Sequence, residues 1–68
     1  MKYDECIEDC DKAIEIDKVF YKSHYRKAKA LLGKTETMDA MRATVTGLKL
    51  NQGQPELAQL ARLIDRML

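Results

Sequence analysis

Apolar residues in the first seventeen positions recur mostly at intervals of three and four: Tyr3, Cys6, Ile7, Cys10, Ala13, Ile14 and Ile16, with Asp, Glu and Lys between them. That spacing predicts an amphipathic helix over Tyr3–Asp17. Its acids gather toward the amino end, where the helix dipole favours them, and Glu8 and Lys12 stand in the order that suits an i, i+4 contact. A second helix is predicted from Phe20 to Leu32. It carries Phe20, Tyr21, His24, Tyr25, Ala28, Leu31 and Leu32 on a broad apolar face and Lys22, Arg26, Lys27 and Lys29 elsewhere. Gly33 is its natural stop. Thr35 or Thr37 is expected to cap a third helix, in which Met38, Met41, Val45 and Leu48 hold a 3-4-3 spacing. Ala40, Ala43 and Gly47 give that helix a small-residue face that lets a neighbour approach closely. The run Asn51-Gln52-Gly53-Gln54-Pro55 is the clearest break, with Pro55 placed in the first turn of a fourth helix that bears Leu57, Leu60, Leu63, Ile64, Met67 and Leu68. Linkers of a few residues imply antiparallel hairpins. The expected fold class is all-α, with about four helices.

Composition narrows the picture rather than changing it. With 46% hydrophobic and 34% charged residues, one Pro and three Gly, the 68-residue chain suits a helical domain with a thin core. Twelve basic side chains against eleven acidic ones leave a formal charge of +1, so any electrostatic recognition must be local. No stretch approaches the length of apolar chain a membrane span needs, and the opening Met1-Lys2-Tyr3-Asp4-Glu5 is acidic where a signal peptide would be apolar. The expected location is cytoplasmic. Cys6 and Cys10 lie one helical turn apart, a poor disulfide geometry, and with only His24 as a third soft ligand they are read as reduced thiols rather than a metal site. No cofactor is expected.

The first predicted helix can be laid on the third at an offset of 34. Cys6 then falls on Ala40, Ile7 on Met41, Ala13 on Gly47, Ile14 on Leu48, Ile16 on Leu50 and Asp17 on Asn51. A period of 34 in a helix-turn-helix pattern is the mark of the tetratricopeptide repeat. The segment from Tyr3 to Asp17 strongly resembles the second helix of such a repeat, with Tyr3, Cys6 and Ala13 where that family places an aromatic and two small residues. Phe20 to Leu32 resembles the first helix of the next repeat, Thr37 to Leu50 its second helix, and Pro55 to Leu68 the solvating helix that closes these arrays. Lys18, Lys27, Cys10 and Thr44 depart from the residues usual at their places. The resemblance implies the C-terminal part of a tetratricopeptide domain: the second helix of one repeat over 2–17, a full repeat over 20–51 and a capping helix over 55–68. A hairpin lacking one arm exposes an apolar face, so the fragment is expected to be prone to self-association.

Within that resemblance, Lys22-Ser23-His24-Tyr25-Arg26-Lys27-Ala28 is similar to the third repeat of carboxylate-clamp co-chaperone domains. Lys22 and Arg26 occupy the places of the lysine and arginine that grip the Glu-Glu-Val-Asp tail of a heat-shock chaperone. The other clamp residues of the family come from earlier helices, so this chain would hold half a clamp. Residues four apart share a helix face, and a carboxylate takes several charge-assisted donors, with arginine offering a fork. Tyr25 and Lys29 lie on the same stripe and are expected to line the groove. The resemblance thus implies a peptide-binding protein with Lys22, Arg26, Tyr25 and Lys29 as its site.

Three other functions are set against it. Catalysis has only His24 to offer as a base, with no nucleophile placed for it and no glycine-rich loop for phosphate. His24 is therefore expected to pack against a neighbouring helix. Nucleic-acid binding rests on Lys22, Arg26, Lys27, Lys29 and Lys34 interleaved with Tyr21 and Tyr25, a patch surrounded by no recognised motif. An assembly scaffold that binds a partner through an apolar groove is compatible with the same helices.

Overall fold

The computed structural model describes residues 2–68. Four helices fill it: α1 (Tyr3–Ile16), α2 (Tyr21–Gly33), α3 (Thr37–Leu50) and α4 (Pro55–Met67). The expected all-α class is found, and each predicted helix is present, with ends moved by a residue at most. Tyr3 and Thr37, and likewise Ile16 and Leu50, are 34 residues apart. Tyr21 and Pro55, and Gly33 and Met67, are also 34 residues apart, so both kinds of helix repeat with one period. The connections repeat too. In the first, the amide of Phe20 donates to Asp17 O, and in the third the amide of Gln54 donates to Asn51 O. The Asn51 side chain closes this end by donating to Val19 O at 2.6 Å. Gly53 (φ 79°) supplies the left-handed residue of the third connection.

Successive helices pack in a zigzag. α2 touches all three others, whereas α1 meets α2 alone among the described residues. Because α2 and α4 touch while α1 and α3 stand apart, the stack curves, with α2 and α4 on its inner side. Small residues make the close crossings possible. Ala28 and Ala40 are fully buried in the cluster that also holds Leu31, Ala43, Leu60 and Ile64. At Gly47 an added Cβ would lie 2.8 Å from the Cβ of His24 and 3.0 Å from Leu57 Cδ1. Thr44 buries its hydroxyl by donating to Ala40 O at 2.8 Å.

The buried face of α3 is the expected small-residue one, Ala40, Ala43 and Gly47, joined by Thr44. The large apolar spacing instead leaves Met38 61% and Val45 39% exposed, because a second helix can come close only over small side chains. Gly33 ends α2 without a left-handed turn. Thr35 takes that conformation (φ 62°), two residues on, with Glu36 N–H donating to Leu31 O and Thr35 N–H to Leu32 O. Neither threonine caps α3, whose N-cap position is Glu36 without a side-chain hydrogen bond. The Thr35 hydroxyl is turned back onto Lys34 O.

Charge divides between the helices. α1 carries six acids (Asp4, Glu5, Glu8, Asp9, Asp11, Glu15) and one base, whereas α2 carries Lys22, Arg26, Lys27 and Lys29 with no acid. Their seam is bridged by Lys27 and Asp11 at 2.7 Å and by Lys34 and Asp4 at 2.5 Å. Pairs this exposed are screened by solvent, so they select register more than they stabilise. No described helix is long and apolar enough to cross a membrane.

Candidate functional site

Which face of α2 stays open follows from what its neighbours cover. Ser23, His24, Ala28, Ala30 and Leu31 are buried against the surrounding helices, and Tyr21, Tyr25, Lys27 and Leu32 are half-buried. The remaining positions, Lys22, Arg26, Lys29 and Gly33, are exposed. Their 4-3-4 spacing makes one continuous stripe along the helix, on the inner side of the curve. The four residues singled out from the sequence are therefore together: Lys22, Arg26 and Lys29 on the stripe, and Tyr25 at its edge, half-buried against the core. Lys29 Nζ stands 5.7 Å from the centre of the Tyr25 ring, a cation–π contact that fixes the side chain over the groove.

What distinguishes this stripe is three cations on adjacent turns of a helix that carries no acid; like most cations among the described residues, they have no ion pair. Lys27, Lys34 and Arg42 each have a carboxylate within 4.0 Å. Among the described residues, Lys22, Arg26 and Lys29 have none. Three cations of like sign on adjacent turns of one rigid helix repel one another, and an anion placed among them relieves that repulsion.

A hollow of about 380 Å³ on the α1 side is bounded by Arg26 together with Glu5, Asp9, Cys6, Cys10 and Ser23, and two more hollows flank the stripe. One, of about 450 Å³, is bounded by Tyr3, Cys6, Tyr25, Arg26, Lys29, Ala30 and Gly33. It lies at the α1–α2 seam, where the Tyr3 ring approaches so near Gly33 that a Cβ there would meet it at 2.3 Å. The other, of about 170 Å³, lies between α2 and α4 and is bounded by Tyr25, Lys29, Glu56, Gln59, Leu60 and Leu63. Arg26 and Lys29 reach the larger of these two and Lys29 the smaller, while Lys22 lines neither and sits one turn before Arg26 on the open stripe. Glu56 is held by the Tyr21 hydroxyl, which donates to its Oε1 at 2.8 Å and whose own proton is bound more tightly for that reason.

Sequence reasoning missed Gly33 and Leu63 as groove residues and assigned Tyr3 to packing. The signal was available in the 34-residue period, which places Leu63 on Lys29 and Met67 on Gly33 once the second and fourth helices are laid together. His24 is 2% exposed, its Nε2 is 2.7 Å from Lys18 O, and it faces α3 through Gly47. It lies across the helix from the stripe. Cys6 and Cys10 are free thiols. Burial, then the charge and hydrogen bond of Cys6, push the Cys10 thiol up to about 11. Among the described residues no group of three or more His, Cys, Asp or Glu side chains is placed to hold a metal ion.

No family model matches the chain, and no curated protein or solved structure matches it.

Proposed function

We propose that the chain is a protein-interaction module of the tetratricopeptide type, cytoplasmic and co-chaperone-like, which binds the acidic carboxyl-terminal peptide of a heat-shock chaperone along α2. One observation carries the reading: Lys22, Arg26 and Lys29 form an exposed row without carboxylate partners on the inner side of the helical stack, with Tyr25 beside them. The 34-residue recurrence of both helix types supports the family part of it.

A terminal aspartate presents two carboxylates at one point, and the arginine fork with a lysine one turn away supplies donors to both. Because the cations ride on a packed helix, little backbone order is lost when the peptide arrives.

The test is calorimetric titration of this chain with a Glu-Glu-Val-Asp peptide and with its C-terminally amidated twin. Amidation, Lys22→Ala and Arg26→Ala are each expected to weaken binding about tenfold, or ~1.4 kcal/mol. Equal affinity for the two peptides contradicts the proposal. Binding that falls steeply with salt and extends to long polyanions favours nucleic acid instead. Binding indifferent to both salt and amidation favours a scaffold that uses an apolar groove.

A further inference from the structure

Cys6 and Cys10 are the chain's two cysteines, and peptide binding along α2 makes no use of either thiol. The 34-residue register pairs them with Ala40 and Thr44. On α3 those two places are fully buried, filled by an alanine and by a threonine whose hydroxyl donates to Ala40 O. On α1 the same two places border a hollow of about 380 Å³, with Ser23 and Arg26 on its α2 wall. Packing therefore asks for sulfur at neither position, and both sulfurs stand at the edge of one space. Cys6 is half-exposed, and the Cys10 thiol is hydrogen-bonded to it, so the two groups meet before anything is bound.

We propose that Cys6 and Cys10 form a two-thiolate site for one soft, closed-shell monovalent metal ion, copper(I) being the ion of that class. Geometry favours an ion over a disulfide. Residues four apart on a helix hold their Cβ atoms about 5–6 Å apart, wider than the ~3.5–4.5 Å a disulfide spans. An ion set between the sulfurs adds two bonds of about 2.3 Å and bridges that gap. Ligand number selects the metal. Among the described residues no group of three or more His, Cys, Asp or Glu side chains is placed to hold an ion, which leaves zinc two ligands short of its usual four. Copper(I) prefers soft thiolates and is satisfied by two of them opposed across it. On binding, each thiol releases its proton to solvent and gives a sulfur lone pair to the ion, which stays in its +1 state. The group formed carries one net negative charge. Arg26 on the wall of the hollow meets that charge, while Glu5 and Asp9 at its border oppose it.

The experiment titrates the full chain with copper(I), kept reduced by ascorbate without oxygen, against a colorimetric cuprous chelator. One ion per chain is expected, with an affinity independent of chain concentration because both ligands come from one molecule. X-ray absorption of the loaded chain is expected to show two sulfur neighbours and no nitrogen or oxygen. Cys6→Ala and Cys10→Thr are the variants, since α3 carries alanine and threonine at the equivalent places, and circular dichroism checks that each is helical. Outer partners of a metal site are worth about 10–100-fold in affinity, so loss of either ligand is expected to weaken binding by more than about a hundredfold, and Arg26→Ala by about tenfold. Unchanged affinity in Cys10→Thr overturns the site, as does one ion shared between two chains. If either variant loses its helicity, the absorption spectrum of the unaltered chain decides: two sulfurs at one ion per chain uphold the site, and any other ligand set overturns it.

Discussion

Cys10 and Cys6 share one helix face, yet they differ in reach. Cys10 is buried and its thiol is pushed up to about 11, first by burial and then by Cys6, whereas Cys6 is half-exposed. A raised thiol binds its proton more tightly folded than unfolded, so its contribution to stability is complete below about pH 9 and is lost as the pH rises through about 11. At pH 8 such a thiol has roughly a hundredth of the thiolate of an ordinary one. Timed alkylation at pH 8 followed by peptide mass analysis is expected to label Cys6 first and Cys10 only on unfolding; equal rates contradict this. That the two thiols share one face was legible from their spacing, because i, i+4 positions coincide on any helix; that Cys6 is half-exposed rather than buried was not. Thr35 was not legible as the left-handed residue that ends α2. Glycine is the usual occupant of that conformation, and Gly33 stood two residues too early. The chain turns where the orphan carbonyls of Leu31 and Leu32 find donors, which is a property of the finished helix end rather than of one residue's preference.

α3 shows how size outranks hydrophobicity in deciding which side of a helix is buried. Its methionines and valine carry more apolar surface, but the neighbours sit on Ala40, Ala43, Thr44 and Gly47. Gly47→Ala is the sharpest check. In an open helix it would stabilise by about 1 kcal/mol. Here the new methyl lies 2.8 Å from the His24 Cβ, an atom close to the backbone that cannot swing aside, so a net loss of about 1–3 kcal/mol is expected in urea unfolding. A rise in the midpoint would mean that α2 and α3 are not in close contact. The helices themselves were legible because each has a period near 3.6 and each break carries turn residues. The division of labour on α3 was ambiguous because two apolar stripes share it, and only the shape of its partners chooses between them.

At the scale of the whole molecule one period governs both kinds of helix: the 34-residue offset drawn from the sequence between the first and third helices also holds between α2 and α4. Lys22 and Arg26 were singled out by the resemblance to clamp domains, and Tyr25 and Lys29 by lying on the same stripe of one helix. The α4 side of the groove was not legible in the same way, since Leu63 and Met67 read as core until the register showed them opposite Lys29 and Gly33. The contrast between paired and unpaired cations also needed coordinates, because Lys27 and Lys34 differ from Lys29 only in what α1 sets beside them. The most direct measurement is a ¹H–¹⁵N titration of the labelled chain with the free-acid peptide. The account predicts shifts concentrated at 22, 25, 26, 29 and 33 and quenched by amidation of the peptide. Shifts centred instead on the opposite groove around Ile7, Leu31 and Ala43, or none at all, would contradict it.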